Sequence, residues 1–332
     1  MRKDAGLRNA HLARFAVIQA RRSDDFQAQI CQACELYWQK FRRKAFCFED
    51  LKAPLAALDD SQRQITLDHI THDFGSVTDG SEQKLVDAAT SINMLKLRYC
   101  FVAKCQDVSV SLGQIACDAI ELYRRSLQTA PACFEAAILG AVALTKMAHN
   151  LPASRERCLL QAVLILKACR NRNEDYYPYL PCLLKLESAL GLMSLAMKDF
   201  KRLSLKNIQW ETAGHLILTR ISTTHPQASG VSTPSSDAGL DPVKAIRAGV
   251  QMWDSAGETL SAQVRSGLKN GSYVNVLETL DLRSELERSL SRQLFLREDS
   301  RTRRLLDLPD MDGIATIPGE FFRSESLNPI EC

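Results

Sequence analysis

Glycine and proline are scarce, with 15 Gly and 11 Pro in 332 residues, and 45% of the chain is apolar. That composition excludes collagen-like sequence, disorder and a small disulfide scaffold. Charge of one sign is also missing: 42 Lys and Arg against 39 Asp and Glu leave a net +3. So balanced a chain has no strong global field, and any pull toward nucleic acid must come from a local basic cluster. No apolar run approaches the roughly 18 to 20 residues that span a bilayer. The longest, residues 136–144, has Gly140 inside it. Met1-Arg2-Lys3-Asp4-Ala5-Gly6 has no apolar stretch behind its basic residues, and Cys332 is last instead of fourth from the end. Neither a secretory signal nor prenylation is expected, and the reading is a soluble cytoplasmic protein with no membrane partner.

Several chemical signatures are missing as well. There is no G-x-S-x-G, no G-x-x-x-x-G-K-[ST], no G-x-G-x-x-G after a strand, and no Q/R-x-x-G-x-G/A turn for acetyl-CoA. Such turns expose a nucleophile or let backbone N–H groups cradle a phosphate, so catalysis by this chain alone is not expected. The 11 Cys are odd in number and mostly lie inside apolar periodic stretches, as at Cys100, Cys117, Cys133, Cys158, Cys169 and Cys182. They read as core thiols of a reducing compartment.

What is present is helical periodicity almost throughout. Phe26, Ile30, Cys34, Trp38 and Phe41 fall on one helical face, and the pattern returns over residues 90–104, 108–127, 133–147, 154–169, 180–197 and 209–221. Pro131, Pro152, the polar residues 171–175 and Lys206-Asn207 separate these stretches. Ala119, Tyr123, Ser126 and Pro131 look like the second half of a tetratricopeptide repeat, where small residues let two helices approach and Pro closes the unit. Ordinary core packing accounts for the same residues equally well. The expected fold is all-α: antiparallel helix pairs stacked as a tetratricopeptide-like solenoid. Residues 1–221 form its repeat region and 222–242, rich in Ser, Thr, Pro and Gly, a flexible loop. Residues 243–308 continue the helices and 309–332 form a disordered or loosely attached tail.

Each candidate site competes with a plainer reading. Cys31-Gln32-Ala33-Cys34 lacks a second ligand pair and lies within an amphipathic helix, so two buried thiols are preferred to a redox or zinc site. His69 and His72 share a helical face but lack a third ligand, and polar residues at a helix end are preferred. No catalytic, cofactor or metal residue is assigned. Arg283, Arg288, Arg292, Arg297, Arg301, Arg303 and Arg304 crowd one segment beside Glu285, Glu287, Glu298 and Asp299. They could lie on ribosomal RNA, although a solvated face laced with i, i+4 pairs is the plainer reading. Arg2, Lys3, Arg8, Arg14, Arg21 and Arg22 form a second basic segment of the same kind.

Four segments together resemble one family. They are Arg8-Asn9-Ala10-His11-Leu12-Ala13-Arg14 opening a helix, K-A-F-C-F-E-D-L-K at 44–52 after Trp38 and Phe41, and L-K-N-I-Q-W-E-T-A-G-H-L-I-L-T at 205–219. The fourth is 269–308, with Gly271, Tyr273, Arg283, Leu286, Ser289, Leu290 and the R-R-L-L-D-L ending. In this order they resemble the auxiliary, non-catalytic subunit of the N-terminal acetyltransferase B complex (NatB), fungal type. The family's long N-terminal repeat array and the helical region after L-L-D-L have no counterpart, so the chain is similar to a middle segment.

The resemblance implies a scaffold that embraces the GNAT-fold catalytic subunit and supports co-translational acetylation of Met-Asp, Met-Glu, Met-Asn and Met-Gln N-termini at the ribosome. Acetyl-CoA would then be bound by the catalytic partner. Within the motifs, Phe48, Asp50, Lys52, Asn207, Gln209, Trp210 and Glu211 are the expected partner-interface residues. Their plainer readings are a helix cap for Asp50, a staple-like core contact for Phe48 and a gap filler for Trp210. The alternative function is a generic helical-repeat adaptor unrelated to acetylation.

Overall fold

The computed structural model describes residues 2–21, 23–72, 88–102, 108–128, 133–173, 176–205, 209–226 and 241–309. The chain is all-α, with no strand among the described residues. It divides into two compact units, residues 1–190 and 191–332. Each is described by itself.

The first unit opens with α1 (Arg2–Arg21), α2 (Phe26–Phe41), α3 (Cys47–Ala56) and α4 (Asp60–His72). The apolar face anticipated for α2 is buried as expected: Ile30, Cys34, Tyr37, Trp38 and Phe41 join Cys47, Leu51 and Leu55 of α3 in one core cluster. Next come α5 (Ala88–Phe101), α6 (Val108–Ser126), α7 (Phe134–Asn150), α8 (Arg155–Arg172) and α9 (Leu180–Ala189), each packing on the one before it from α6 onward. Sequential helix pairs of this kind are the building plan of a helical repeat.

Small residues set the α6–α7 approach, with Gly140 lying against Ala116 and Ala119. The half-motif of a repeat now has a mechanism. Ala119 is fully buried, and the Tyr123 ring meets Phe134 with centroids 5.9 Å apart. The Ser126 hydroxyl donates to the Tyr123 carbonyl at 2.7 Å and accepts from the Cys133 N–H at 2.8 Å, tying the end of α6 to the start of α7. Pro131 lies outside the described residues. Between α8 and α9, Lys167 Nζ and the fully buried Glu187 carboxylate pair at 2.5 Å.

The second unit contains α10 (Met193–Lys201), α11 (Gln209–Ala213), α12 (His215–Leu218), α13 (Ile221–Thr224), α14 (Pro242–Lys269), α15 (Tyr273–Glu287) and α16 (Leu290–Leu305). Helix α16 is its centre, because α12, α13 and α14 all pack on it. Asp241 caps α14, its carboxylate accepting from Val243 N at 3.0 Å and Lys244 N at 3.2 Å, with Pro242 at the first helical position.

Two periodic stretches that read as continuous are broken, and the helical segment 243–308 is divided as well. Residues 180–197 divide between α9 and α10 at Gly191, whose φ is +71°. Residues 209–221 form short helices, with Arg220 leaving helical geometry at φ −136°. Residues 273–308 divide at Ser289, which turns extended and accepts from Arg292 N at 3.0 Å as the N-cap of α16. Hydrophobic phase survives across such breaks, so periodicity alone does not reveal them. Of the segment 222–242, Ser222 belongs to α13 and Pro242 to α14, whereas 227–240 lie outside the described residues, as do 310–332.

Gly271 ends α14 with φ +69°, and the Ser272 N–H bonds back to the Gly267 carbonyl at 2.9 Å. An added Cβ at 271 would meet nothing within 4 Å, so its cost is purely conformational. Gly271→Ala is therefore expected to lower stability by about 1 kcal/mol. A lower urea midpoint with unchanged slope is the measurement that checks it.

Candidate functional site

The residues singled out from the sequence gather at two polar nodes, one in each unit. In the first, Asp50 sits in the first turn of α3 but makes no cap; its side chain reaches across to α1 and α2. Arg8 Nε and Nη2 each donate to one Asp50 oxygen at 2.7 Å, a bidentate pair between residues 42 apart in sequence. The Tyr37 hydroxyl donates to the same carboxylate. Burial pushes the Asp50 carboxyl up, but the bonds from Arg8 and Tyr37 outweigh it and hold the group below its ordinary value. The Arg8 guanidinium also lies 4.3 Å from the Phe46 ring centroid, and His11 meets Tyr37 and Phe41 edge-on at 5.7 and 5.6 Å. Phe48 is half-buried against the core, with Lys52 and Lys96 each 5.9 Å from its ring, and Lys52 itself is exposed.

The second node is built on Glu211 of α11. Its carboxylate accepts from the Trp253 indole N–H of α14 at 3.0 Å and from the Ser289 hydroxyl at 2.6 Å, while its carbonyl accepts from Ser291 at 3.0 Å. One residue thus holds α11, α14 and the start of α16 in register. Trp210 donates to the Leu205 carbonyl at 3.2 Å and stands edge-on to Phe200 at 5.6 Å. Gly214 lies where a Cβ would come within 2.8 Å of the Phe295 ring, which also packs edge-on against Trp253 at 5.3 Å. Gln209 is exposed, and Asn207 lies outside the described residues.

The Arg-rich segment does not form one stripe. Arg303 is buried and pairs with the buried Asp299 at 2.5 Å. Arg292 reaches Asp254 of α14 at 3.1 Å, and Arg283 pairs with Glu287 at 2.9 Å. Arg301 is exposed and bonds at 3.0 Å to Glu298, whose other oxygen receives the Ser222 N–H and hydroxyl. Arg288 is exposed at the end of α15. Arg297, Arg301 and Arg304, spaced by four and three, are exposed on one face of α16.

The polar groups at both nodes are engaged in bonds between helices. Burial pushes the Cys34 thiol well up and the Cys47 thiol to about 12, so both stay protonated. Cys31 accepts from the Thr66 hydroxyl at 3.1 Å. His69 Nδ1 lies 2.9 Å from Glu35, and the His72 side chain lies outside the described residues. Among the described residues no three His, Cys, Asp or Glu side chains gather as a metal site, and no helix is long and apolar enough to cross a membrane.

Residues 1–322 match the model of a family described as the N-acetyltransferase B complex (NatB) non catalytic subunit. The chain belongs to this family. It is 24% identical over 289 residues to the N-terminal acetyltransferase B complex subunit arm1 of Schizosaccharomyces pombe, a match covering 80% of this chain and 32% of that protein. The chain therefore spans about a third of the length of that relative.

For this NatB-family chain the two nodes account for the motifs that carried the resemblance. Arg8 and His11 of the first motif meet Asp50 and Tyr37, and Glu211 and Gly214 of the third meet Ser289 and Phe295 of the fourth. Arg8 as the partner of Asp50, and Trp253 as the partner of Glu211, were not anticipated. The signal for Arg8 lay in its motif; nothing local marked Trp253.

Asp50→Asn leaves Arg8 without its charge partner and is expected to cost about 2 kcal/mol at neutral pH. A carboxylate held below its ordinary value stabilises fully above about pH 3.9, and that contribution is lost as pH falls through the folded-state value. Urea melts across the acid range should show this loss in the native chain and a shallower one in Asp50→Asn. Gly214→Ala forces Phe295 to move and should cost about 2 kcal/mol by the same melts.

Proposed function

We propose that this chain is part of the non-catalytic scaffold of a NatB complex, binding the GNAT-fold catalytic subunit. In that role it supports acetylation of Met-Asp, Met-Glu, Met-Asn and Met-Gln N-termini on nascent chains. The observation that carries the reading is the family match over residues 1–322. The stacked helix pairs of the first unit suit it, since such stacks present long surfaces to a protein partner. Acetyl-CoA and the proton-transfer groups belong to the catalytic subunit, and the chain's own share is positioning.

Within the expected interface, Asp50, Trp210 and Glu211 have partners inside the chain, so their part is to hold the helices that carry the contacts. Phe48 and Lys52 are the proposed direct contacts: a half-buried aromatic edge with an exposed ammonium beside it is a surface a partner can cover. Co-expression with a NatB catalytic subunit tests the reading. A one-to-one pair through gel filtration, active on a Met-Asp peptide, is expected; separate elution of the two chains overturns binding by this chain. Phe48→Ala with Lys52→Ala should weaken the pair while leaving the melting temperature within a few degrees, since both side chains reach the surface.

For the ribosome contact, the exposed face of Arg297, Arg301 and Arg304 is the proposed phosphate-binding element, with Arg303 a buried structural residue. Three phosphate contacts correspond to a loss of about 2 to 3 in the slope of log affinity against log salt. Replacing Arg297 and Arg304 with Gln should lower that slope by about 1.4 to 1.8 in ribosome co-sedimentation without lowering the melting temperature, Arg301 being kept because it pairs with the buried Glu298. An unchanged slope would sink the RNA contact alone.

A further inference from the structure

Helix α15 is poorly covered for a helix in a folded unit. It packs chiefly on α14, and Val276 is its one buried residue. Tyr273, Leu277 and Leu280 follow at spacings of four and three, so they share one face, and they are 67%, 64% and 42% exposed. Isolated exposed leucines are ordinary, but an aligned aromatic–Leu–Leu stripe is the pattern by which a helix meets another helix. The faces that close a helical array are normally polar, and this one is not.

The flank of the stripe has a definite sign. Glu278, Asp281 and Glu285 lie along one side at spacings of three and four, all exposed and without an ion-pair partner among the described residues. Arg283, the helix's single basic residue, lies toward the other side, paired to Glu287 at 2.9 Å and bonded to Ser261 of α14 at 3.2 Å. An apolar stripe beside three unmatched carboxylates repels RNA and anionic lipid surfaces. It also disfavours a second copy of this chain, since an antiparallel two-fold pair would set the acidic flank against itself.

We infer that the α15 face is a docking site for a basic amphipathic helix of a protein partner, its apolar side on Tyr273, Leu277 and Leu280 and its Lys or Arg residues beside Glu278, Asp281 and Glu285. Helix-on-helix burial supplies the affinity, and the carboxylates select charge and orientation. The inference concerns a surface and a partner chemistry, not acetylation. Its failure would leave the scaffold reading intact, and failure of that reading would leave this one standing.

The test uses the whole chain and two fluorescein-labelled helical peptides of roughly 18 residues, about five turns. One is a Leu/Lys amphipathic helix, the other its Leu/Glu counterpart. At about 0.15 M salt, anisotropy should show saturable binding of the Leu/Lys peptide only. Leu277→Asp should weaken it about tenfold or more, a loss of at least one decade in Kd. The triple change Glu278→Lys, Asp281→Lys, Glu285→Lys should do the same and shift preference toward the Leu/Glu peptide. Because the three acids are exposed, this variant remains decisive should Leu277→Asp fail to fold. Equal binding of both peptides, affinity unchanged in the triple variant, or a dimer by sedimentation that Leu277→Asp dissolves would each overturn the proposal.

Discussion

Two carboxylates, one in each unit, fix how the helices that carry the family motifs lie against one another. An apolar helix face can rotate or slide by a turn against its neighbour at modest cost, since hydrophobic burial is not directional. A carboxylate withdrawn from water has no such freedom, because each oxygen needs a donor within hydrogen-bond distance. Asp50 meets that demand at both oxygens, with Arg8 on each and Tyr37 on one, whereas the half-buried Glu211 receives Trp253 and Ser289 on a single oxygen. The helices carrying those donors are thereby set in position as well as in contact.

The two kinds of contact divide the labour within this member of the non-catalytic subunit family. The apolar clusters supply stability, and the polar nodes supply register. Cys34 and Cys47 belong to the apolar part, buried in the first core cluster with thiols that burial keeps protonated, whereas Cys117, expected in the core, is exposed on α6 and Cys31, expected buried, is half-buried. In the second unit Phe295 serves as the apolar counterpart of Glu211, lying between Gly214, Gly249 and Trp253 so that the absent side chains of the two glycines make room for its ring.

The Arg-rich segment shows how composition and surface part company. Arg303 sits in a buried pair with Asp299 and Arg292 and Arg283 make pairs within the unit, while Arg297, Arg301 and Arg304 share an exposed face, Arg301 there pairing with the buried Glu298. A count of basic residues treats them alike. Burial sets Arg303 apart, because a guanidinium out of water must be matched by acceptors.

Period determined much of this protein from the chain alone. The 3.6-residue recurrence of apolar positions gave helices in place of strands, and the buried face of α2 followed directly from Phe26, Ile30, Cys34, Trp38 and Phe41. The motif residues were also visible in advance, as was their resemblance to the NatB auxiliary subunit. Tertiary structure alone decided what those residues do. Asp50, expected at a partner interface with a helix cap as its plainer reading, makes no cap and anchors α1 and α2; Glu211, expected at the same interface, bonds Trp253 and Ser289 within the chain; and α15 carries an exposed apolar stripe. The reason is physical: a helix's own sequence sets which side is apolar, but not which distant helix will lie against it, and a donor 42 or 78 residues away leaves no local trace at the acceptor.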